Sequence, residues 1–294
     1  MLGELRQLKA FLAIARLGNF TRAANELHIS QSALSVQIRQ LESGLGVTLF
    51  DRNRRRVTMT QSGIELLPRF EALVQDMDAL ITDARDSGGP TRGVVTVAAL
   101  PSVAASVLPA AMRELATSHP GISLRVRDSA AVRVIELCKS GAVDFGIGCI
   151  EKNDRDLVIE PLHTDQFCAV VAATHALANR KVLSLGELAR QRLLLPVRDS
   201  SIRVQIEKTA AQANIDITAA YEAAFNSTLI AMAREGLGVA VLSELVVRHD
   251  DSRSLVSIPI RRPVVQRDIV VIASHGRPMS RAARIVADAL RKVV

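Results

Sequence analysis

The sequence predicts an α/β protein with an N-terminal winged helix-turn-helix, a long linker helix and two similar α/β lobes. Three observations lead there. Apolar residues recur at helical spacing through the first 45 positions, two strand-like runs joined by an arginine-rich tip follow, and beyond residue 90 strand and helix patterns alternate. With 294 residues, 48% of them hydrophobic, the chain can bury full cores in two or three domains. Its net charge is +7, and residues 1–70 hold ten basic side chains against five acidic ones. Most of the excess therefore sits in the first quarter, which favours an anionic partner there.

The first helix is read from Leu5, Leu8, Leu12 and Ala15, with Gly18-Asn19 as its stop. Thr21 is placed to cap a second helix and Ser30 a third, because a hydroxyl there accepts a bond from an unpaired first-turn amide. Only His28 and Ile29 remain for the turn, so the pair reads as a helix-turn-helix. In the third helix Leu34, Ile38 and Leu41 form an apolar stripe, while Gln31, Ser32, Ser35 and Arg39 share the opposite surface. Short polar groups and one guanidinium suit base edges and phosphates in a major groove; an ordinary solvated face is the alternative.

Val47–Phe50 and Val57–Thr60 have strand character, and Arg52, Arg54, Arg55 and Arg56 crowd the loop between them. A solvated tip needs no such cluster, whereas a wing along a phosphate backbone does. Trp is absent and the only Tyr is Tyr221, which leaves no aromatic platform for single strands and points to duplex DNA. Candidate DNA contacts are thus Thr21, Arg22, Ser30, Gln31, Ser32, Ser35, Arg39, Arg52, Arg54 and Arg55, with Gln31 and Ser32 reading bases. Thr60 caps a long helix to about Ser87, in which Leu66, Phe70, Leu73, Met77 and Leu80 form a heptad seam expected to pair two chains. Pro68 is expected to kink it, and Ser87-Gly88-Gly89-Pro90 to end it as a hinge.

Strands are expected at 94–98, 123–127 and 145–148, with helices near 103–118 and 130–140 between them, the order of a mostly parallel sheet. A second set places strands at 167–172, 193–195, 217–221 and 239–241 and helices near 201–213 and 227–235. The chain crosses between lobes near 162–167 and 265–272, and a last helix, 281–293, returns to the first lobe. Open sheets of this kind bind ligands where strand ends run into helix starts. Three such junctions supply the candidate effector residues: Leu100, Ser102 and Val103; Arg198, Ser200, Ser201 and Arg203; Asn226, Ser227 and Thr228. Hydroxyls beside free amides fit a carboxylate or other small anion, with Arg198 or Arg203 as a clamp; simple helix capping is the alternative for any one serine.

Other chemistry is not indicated. Cys138, Cys149 and Cys168 form no paired motif and read as reduced thiols of a cytoplasmic protein, and the six histidines lack metal spacing. Asp144-Phe145-Gly146 and Gly236-Leu237-Gly238 lack the companions of a kinase or dinucleotide site. No catalytic constellation, cofactor or metal site is expected. Residues 94–112 carry no charge, but Pro101, Pro109 and three hydroxyl residues break the run, so a buried strand and helix are expected rather than a membrane span. Glu4 and Arg16 flank the early apolar run, unlike a secretory signal.

The series Phe20-Thr21-Arg22-Ala23-Ala24, Leu27–Ser35, Leu49-Phe50-Asp51-Arg52 and Thr60-Gln61-Ser62-Gly63 resembles the N-terminal signature of LysR-type transcriptional regulators. Later stretches, Gly141–Gly148, His175–Ala178 and Glu235–Ala240, look like that family's sensor landmarks. The resemblance implies a winged helix-turn-helix (residues 1–59), a dimerising linker and hinge (60–90) and a periplasmic-binding-protein-like (type 2) effector domain (91–294). Lobe I of that domain would span about 91–163 and 267–294, and lobe II about 164–266. It further implies a tetramer on partly palindromic promoter DNA, a small-molecule effector in the cleft and contact with RNA polymerase. Val36 departs from the pattern where a basic residue is common, and Leu100 where a polar one is frequent. A cytoplasmic solute-binding protein without gene-regulatory activity is the rival reading.

Overall fold

The computed structural model describes residues 2–51, 57–85, 91–150, 154–248 and 254–294. They fall into two compact units, one holding Met1–Gly89 and the other Pro90–Lys139 and Asp144–Val294. In the N-terminal unit, helices α1 (Leu2–Leu17), α2 (Phe20–Glu26) and α3 (Gln31–Leu45) precede a short antiparallel pair, β1 (Phe50–Asp51) and β2 (Thr58–Met59), and the long helix α4 (Gln61–Arg85). Phe11 is fully buried, with the rings of Phe50 and Phe70 each 5.2 Å from its own and Phe20 6.0 Å from Phe50. Ala10, Ile14, Leu34, Ile38 and Leu41 complete this core, so the apolar stripe of α3 packs inward.

Local chemistry sets the boundaries. The cap of α2 is Asn19, not Thr21: Asn19 is extended and its Oδ1 accepts the Arg22 N–H at 3.0 Å, so the helix starts one residue before Thr21. Ser30 caps α3 as expected, accepting from Ala33, and Gly46 ends it with φ 71°. Glu42 then accepts the backbone N–H of Leu49 and Phe50, which anchors the first wing strand to α3. Thr60 Oγ1 donates to the Thr48 carbonyl and accepts from Gly63 N, and a Cβ on Gly63 would stand 2.4 Å from the Leu49 carbonyl oxygen. Only glycine fits there. The arginine tip, with Arg52, Arg54 and Arg55, and the expected hinge at Ser87–Pro90 lie outside the described residues.

The expected α4 seam divides in two. Phe70 is 5% exposed and Leu66 packs on the same core, so both are committed to their own chain, whereas Leu73 is 55% exposed and Met77 half-buried. Val74, one turn beyond Phe70 and 8% exposed, is buried in place of Leu73, so the buried face of α4 runs on by four-residue steps through 66, 70 and 74 rather than along the heptad. Lys9 and Asp78, 2.9 Å apart, continue the α1 to α4 contact. The side chain of Leu80 lies outside the described set.

The C-terminal unit is built on one ten-stranded sheet. Its first lobe holds β3 (Gly93–Ala99), α5 (Pro101–Ser118), β4 (Ile122–Asp128), α6 (Ala131–Lys139) and β5 (Phe145–Gly148). A 16-residue strand, β6 (Leu157–Ala172), leads into the second, with β7 (Leu183–Ser184), α7 (Leu185–Leu188), β8 (Leu193–Pro196), α8 (Ser201–Gln212), β9 (Ala219–Ala223), α9 (Asn226–Arg234), β10 (Val239–Ser243), α10 (Glu244–Val247) and β11 (Leu255–Arg261). Strand β12 (Gln266–Ser274) returns and α11 (Arg281–Val293) packs on α5.

The strand path is β4-β3-β5-β12-β6-β10-β8-β9, with β11 pairing β6 and β7. Pairs β3·β4, β3·β5, β8·β9 and β10·β8 are parallel, while β6 and β12 run antiparallel from Leu157 and Ser274 to Gln166 and Gln266. The crossing is thus a long two-stranded ribbon rather than the short segments expected. Val97, Phe145, Ile147, Val107, Val286 and Leu290 belong to the first core; Phe167, Leu193, Leu195, Val241, Ile202 and Ile206 belong to the second. Strand alternation sends Cys168 and Val170 to a third cluster under α9.

These contacts predict that Phe70→Ala lowers the stability of the N-terminal unit by about 3–5 kcal/mol, whereas Leu73→Ala changes it by less than about 0.5 kcal/mol. Denaturant unfolding of both variants measures the difference, and equal losses would contradict the assignment of Phe70 to the core.

Candidate functional site

Helix α3 presents one polar face to solvent. Gln31, Ser32 and Arg39 are exposed and Ser35 is half-buried, while Leu34, Ile38 and Leu41 are buried. Gln31 and Ser32 open the helix, where an entering helix end meets base edges. Ser30 Oγ is held by the Ala33 amide and lies 2.9 Å from Ser32 Oγ, so its first role is capping. Thr21 and Arg22 are exposed at the start of α2. Val36 is 40% exposed on the polar side of α3 and contributes no charge there.

A second constellation lies in the C-terminal unit, on the ribbon that joins its lobes. Arg267 on β12 faces Asp165 on β6 in register, and their side chains are 4% and 0% exposed. The Arg267 Nε and Nη2 donate to Asp165 Oδ2 at 2.9 and 2.7 Å. The guanidinium also donates to Ser201 Oγ at 2.7 Å, Ser102 Oγ at 2.7 Å and Ser243 Oγ at 3.3 Å. Asp165 Oδ1 accepts the Leu245 N–H, and the Phe167 ring lies 5.7 Å from the guanidinium carbon. Ser102 stands in the first turn of α5, Ser201 begins α8, and Ser243 precedes α10. One buried ion pair therefore collects three helix starts from both lobes.

Its chemistry follows from donor counting. Arginine only donates, so each serine oxygen is its acceptor; the Ser201 hydroxyl meets the Cys149 sulfur as well. The first turns of two long helices also lie at this cluster, and helix starts favour negative charge.

The remaining expected effector residues divide. Ser200 caps α8 through Ile202 N and Arg198 is exposed in the preceding turn. Arg203 does not supply the clamp: it is 2% exposed and its guanidinium donates to Glu207, Glu222 and the Pro196 carbonyl. Leu100 and Val103 are not cleft residues but part of the first core. Asn226, Ser227 and Thr228 begin α9 beside the 71% exposed Phe225, and the described hydrogen bonds bring none of them to Arg267. Sequence reading missed Arg267 and Asp165: His163, Thr164 and Gln166 surround one and Gln266 and Asp268 the other, so neither charge stands out locally.

The thiols are not activated. Burial pushes Cys138 and Cys168 up to about 12, and their sulfurs donate to the carbonyls of Ile272 and Leu242. Cys149, partly buried beside Arg267, Asp165 and Ser201, is raised chiefly by burial while Arg267 pulls the other way. Among the described residues no group of His, Cys, Asp or Glu could hold a metal, and no described helix is long and apolar enough to cross a membrane.

Arg267→Met is expected to cost about 3–5 kcal/mol, because Asp165 is left buried and uncompensated, and Arg267→Met with Asp165→Leu to recover most of it. Denaturant unfolding of the single and double variants measures this, and strictly additive losses would contradict direct pairing.

Comparison with known proteins places this geometry. The LysR substrate binding domain matches residues 88–294, and the bacterial regulatory helix-turn-helix protein, lysR family, matches residues 5–64. The uncharacterized HTH-type transcriptional regulator YbhD of Escherichia coli (strain K12) is 30% identical over 280 residues, covering 95% of this chain and 88% of that protein. A probable hydrogen peroxide-inducible genes activator of Mycobacterium avium is 31% identical over 274 residues, 92% of this chain and 88% of its own. In fold, the chain is similar to a full-length OxyR cysteine variant from Pseudomonas aeruginosa, with TM-score 0.79, 23% identity and 98% and 94% of the two chains covered. It is also similar to full-length CbnR in complex with its target DNA, with TM-score 0.73, 21% identity and 99% of each chain covered. The chain belongs to the LysR family of transcriptional regulators.

Proposed function

We propose that this regulator reads duplex promoter DNA with the exposed face of α3 and responds to a small carboxylate-bearing or otherwise anionic effector at the Arg267 cluster. Family membership removes the rival reading of a solute-binding protein without regulatory activity. One observation carries the effector assignment: Ser102 and Ser201, from different lobes, accept bonds from the same guanidinium. An anion seated there accepts from the two serine hydroxyls, displacing Cys149 from Ser201, and competes with Asp165 for Arg267, which links occupancy to lobe geometry. Gln31 and Ser32 contact base edges, Ser35 and Arg39 hold register, and the basic wing grips the backbone. Self-association through the exposed apolar part of α4, Leu73 and Met77, brings two reading helices to one site, and assembly to a tetramer joins two such pairs.

A second reading, peroxide sensing, is favoured by the names of the OxyR-type relatives and by Cys149 facing the same cluster. Burial, which raises all three thiols, argues against it, since the thiolate is the reactive form.

On duplex DNA from the region upstream of its own gene, Gln31→Ala should lose about 1–3 kcal/mol of discrimination at one base pair. Arg39→Ala should instead weaken specific and scrambled duplexes alike and reduce the salt slope by about one. Binding measured across a salt series separates these effects, and no preference for any duplex would end the DNA assignment. Hydrogen peroxide should leave this affinity unchanged; a change abolished by Cys149→Ser would establish the thiol reading in place of the anion.

A further inference from the structure

We propose that a pocket on the second lobe, walled by Arg180, Arg261 and Arg262, binds a phosphate-bearing small molecule. The pocket forms where β7 pairs with the end of β11, with Arg261 in register beside Ser184, and its volume is about 570 Å³. That volume lies within the range of small-ligand sites, roughly 300–1,000 Å³. Its charge is unbalanced: three guanidinium groups face it against the single carboxylate of Glu187.

Glu187 is already committed. Its oxygens accept from the Ser184 N–H and hydroxyl, each at 2.8 Å, and from Arg180 at 2.7 Å. These bonds, led by the Ser184 amide, hold its carboxyl down to about 2, so it neutralises Arg180 alone at any ordinary pH. Arg261 has only a neutral described partner, the Gln166 side-chain oxygen at 2.7 Å. Arg262 lines the pocket from a left-handed backbone, φ 62°, a conformation that disfavours a long side chain. A residue kept at a strained position while presenting a charge to a cavity marks a function rather than a fold requirement. Guanidinium forks from Arg261 and Arg262, neighbours in the chain that both line the pocket, suit the oxygens of a phosphate, and the partly exposed Val182 gives an apolar wall for the body of an organic phosphate.

The test is calorimetric titration of the full-length protein with inorganic phosphate, pyrophosphate and succinate at matched ionic strength. Phosphate or pyrophosphate should bind at millimolar concentration or tighter, and Arg261→Ala with Arg262→Ala should weaken that binding at least tenfold without altering DNA affinity. Arg262→Gly is the sharper variant: glycine relieves the backbone, so thermal stability should hold or rise while phosphate affinity falls at least fivefold. Loss of phosphate binding in Ser102→Ala, with none in the arginine variants, would place the phosphate at the Arg267 cluster and overturn the proposal. Absence of phosphate and pyrophosphate binding, equal binding by the arginine variants, or a preference for succinate would overturn the proposal.

Discussion

The C-terminal unit depends on one ion pair. Arg267 and Asp165 are opposed on the two strands that alone carry the sheet from one lobe to the other, and both are removed from water. Desolvating two charges is expensive unless geometry and further hydrogen bonds offset it. Here two bonds to one carboxylate oxygen, three serine hydroxyls and a backbone amide do so. The same bonds tie Ser102 of α5, Ser201 of α8 and Ser243 before α10 to the ribbon. Lobe geometry and the polarity of the cleft are therefore consequences of one buried guanidinium. A molecule that changes its partners changes both.

The N-terminal unit solves a different problem with few aromatic residues. Four of the chain's seven phenylalanines, Phe11, Phe20, Phe50 and Phe70, form one cluster, and they bury the inner stripe of α3 and the start of α4 together. Because that core is filled from one side, the outer face of α3 is free to carry only short polar groups and one arginine. Glu42 and Thr60 then bind the wing strand to the helices that flank it. Core packing, wing position and the exposed polar face of α3 are thus aspects of one arrangement.

Elements with a strong local signal were legible in the sequence. The periodicity of α3, the strand at 145–148 and the helix at 281–293 matched their observed bounds closely because each is fixed by its own apolar pattern. What escaped was set by tertiary context. The turns α7 and α10 and the two-residue β7 are too short to leave a period, and β11 contains Pro259. Phe70 satisfied both a heptad and a core face, and only packing on Phe11 decided between them. Ser102 and Ser201 were identifiable as hydroxyls at helix starts. Their shared partner was not, since 165 residues separate Arg267 from Ser102 and nothing local marks the pairing. Arg203 looked equally available from sequence, yet Glu207 and Glu222 already hold it.

The most direct measurement is hydrogen exchange along the full chain, wild type against Arg267→Met. If the buried pair holds both lobes to the ribbon, protection falls together in the first turns of α5 and α8 while α11 is unchanged. Loss confined to β6 and β12, with both helix starts as protected as before, would contradict that account.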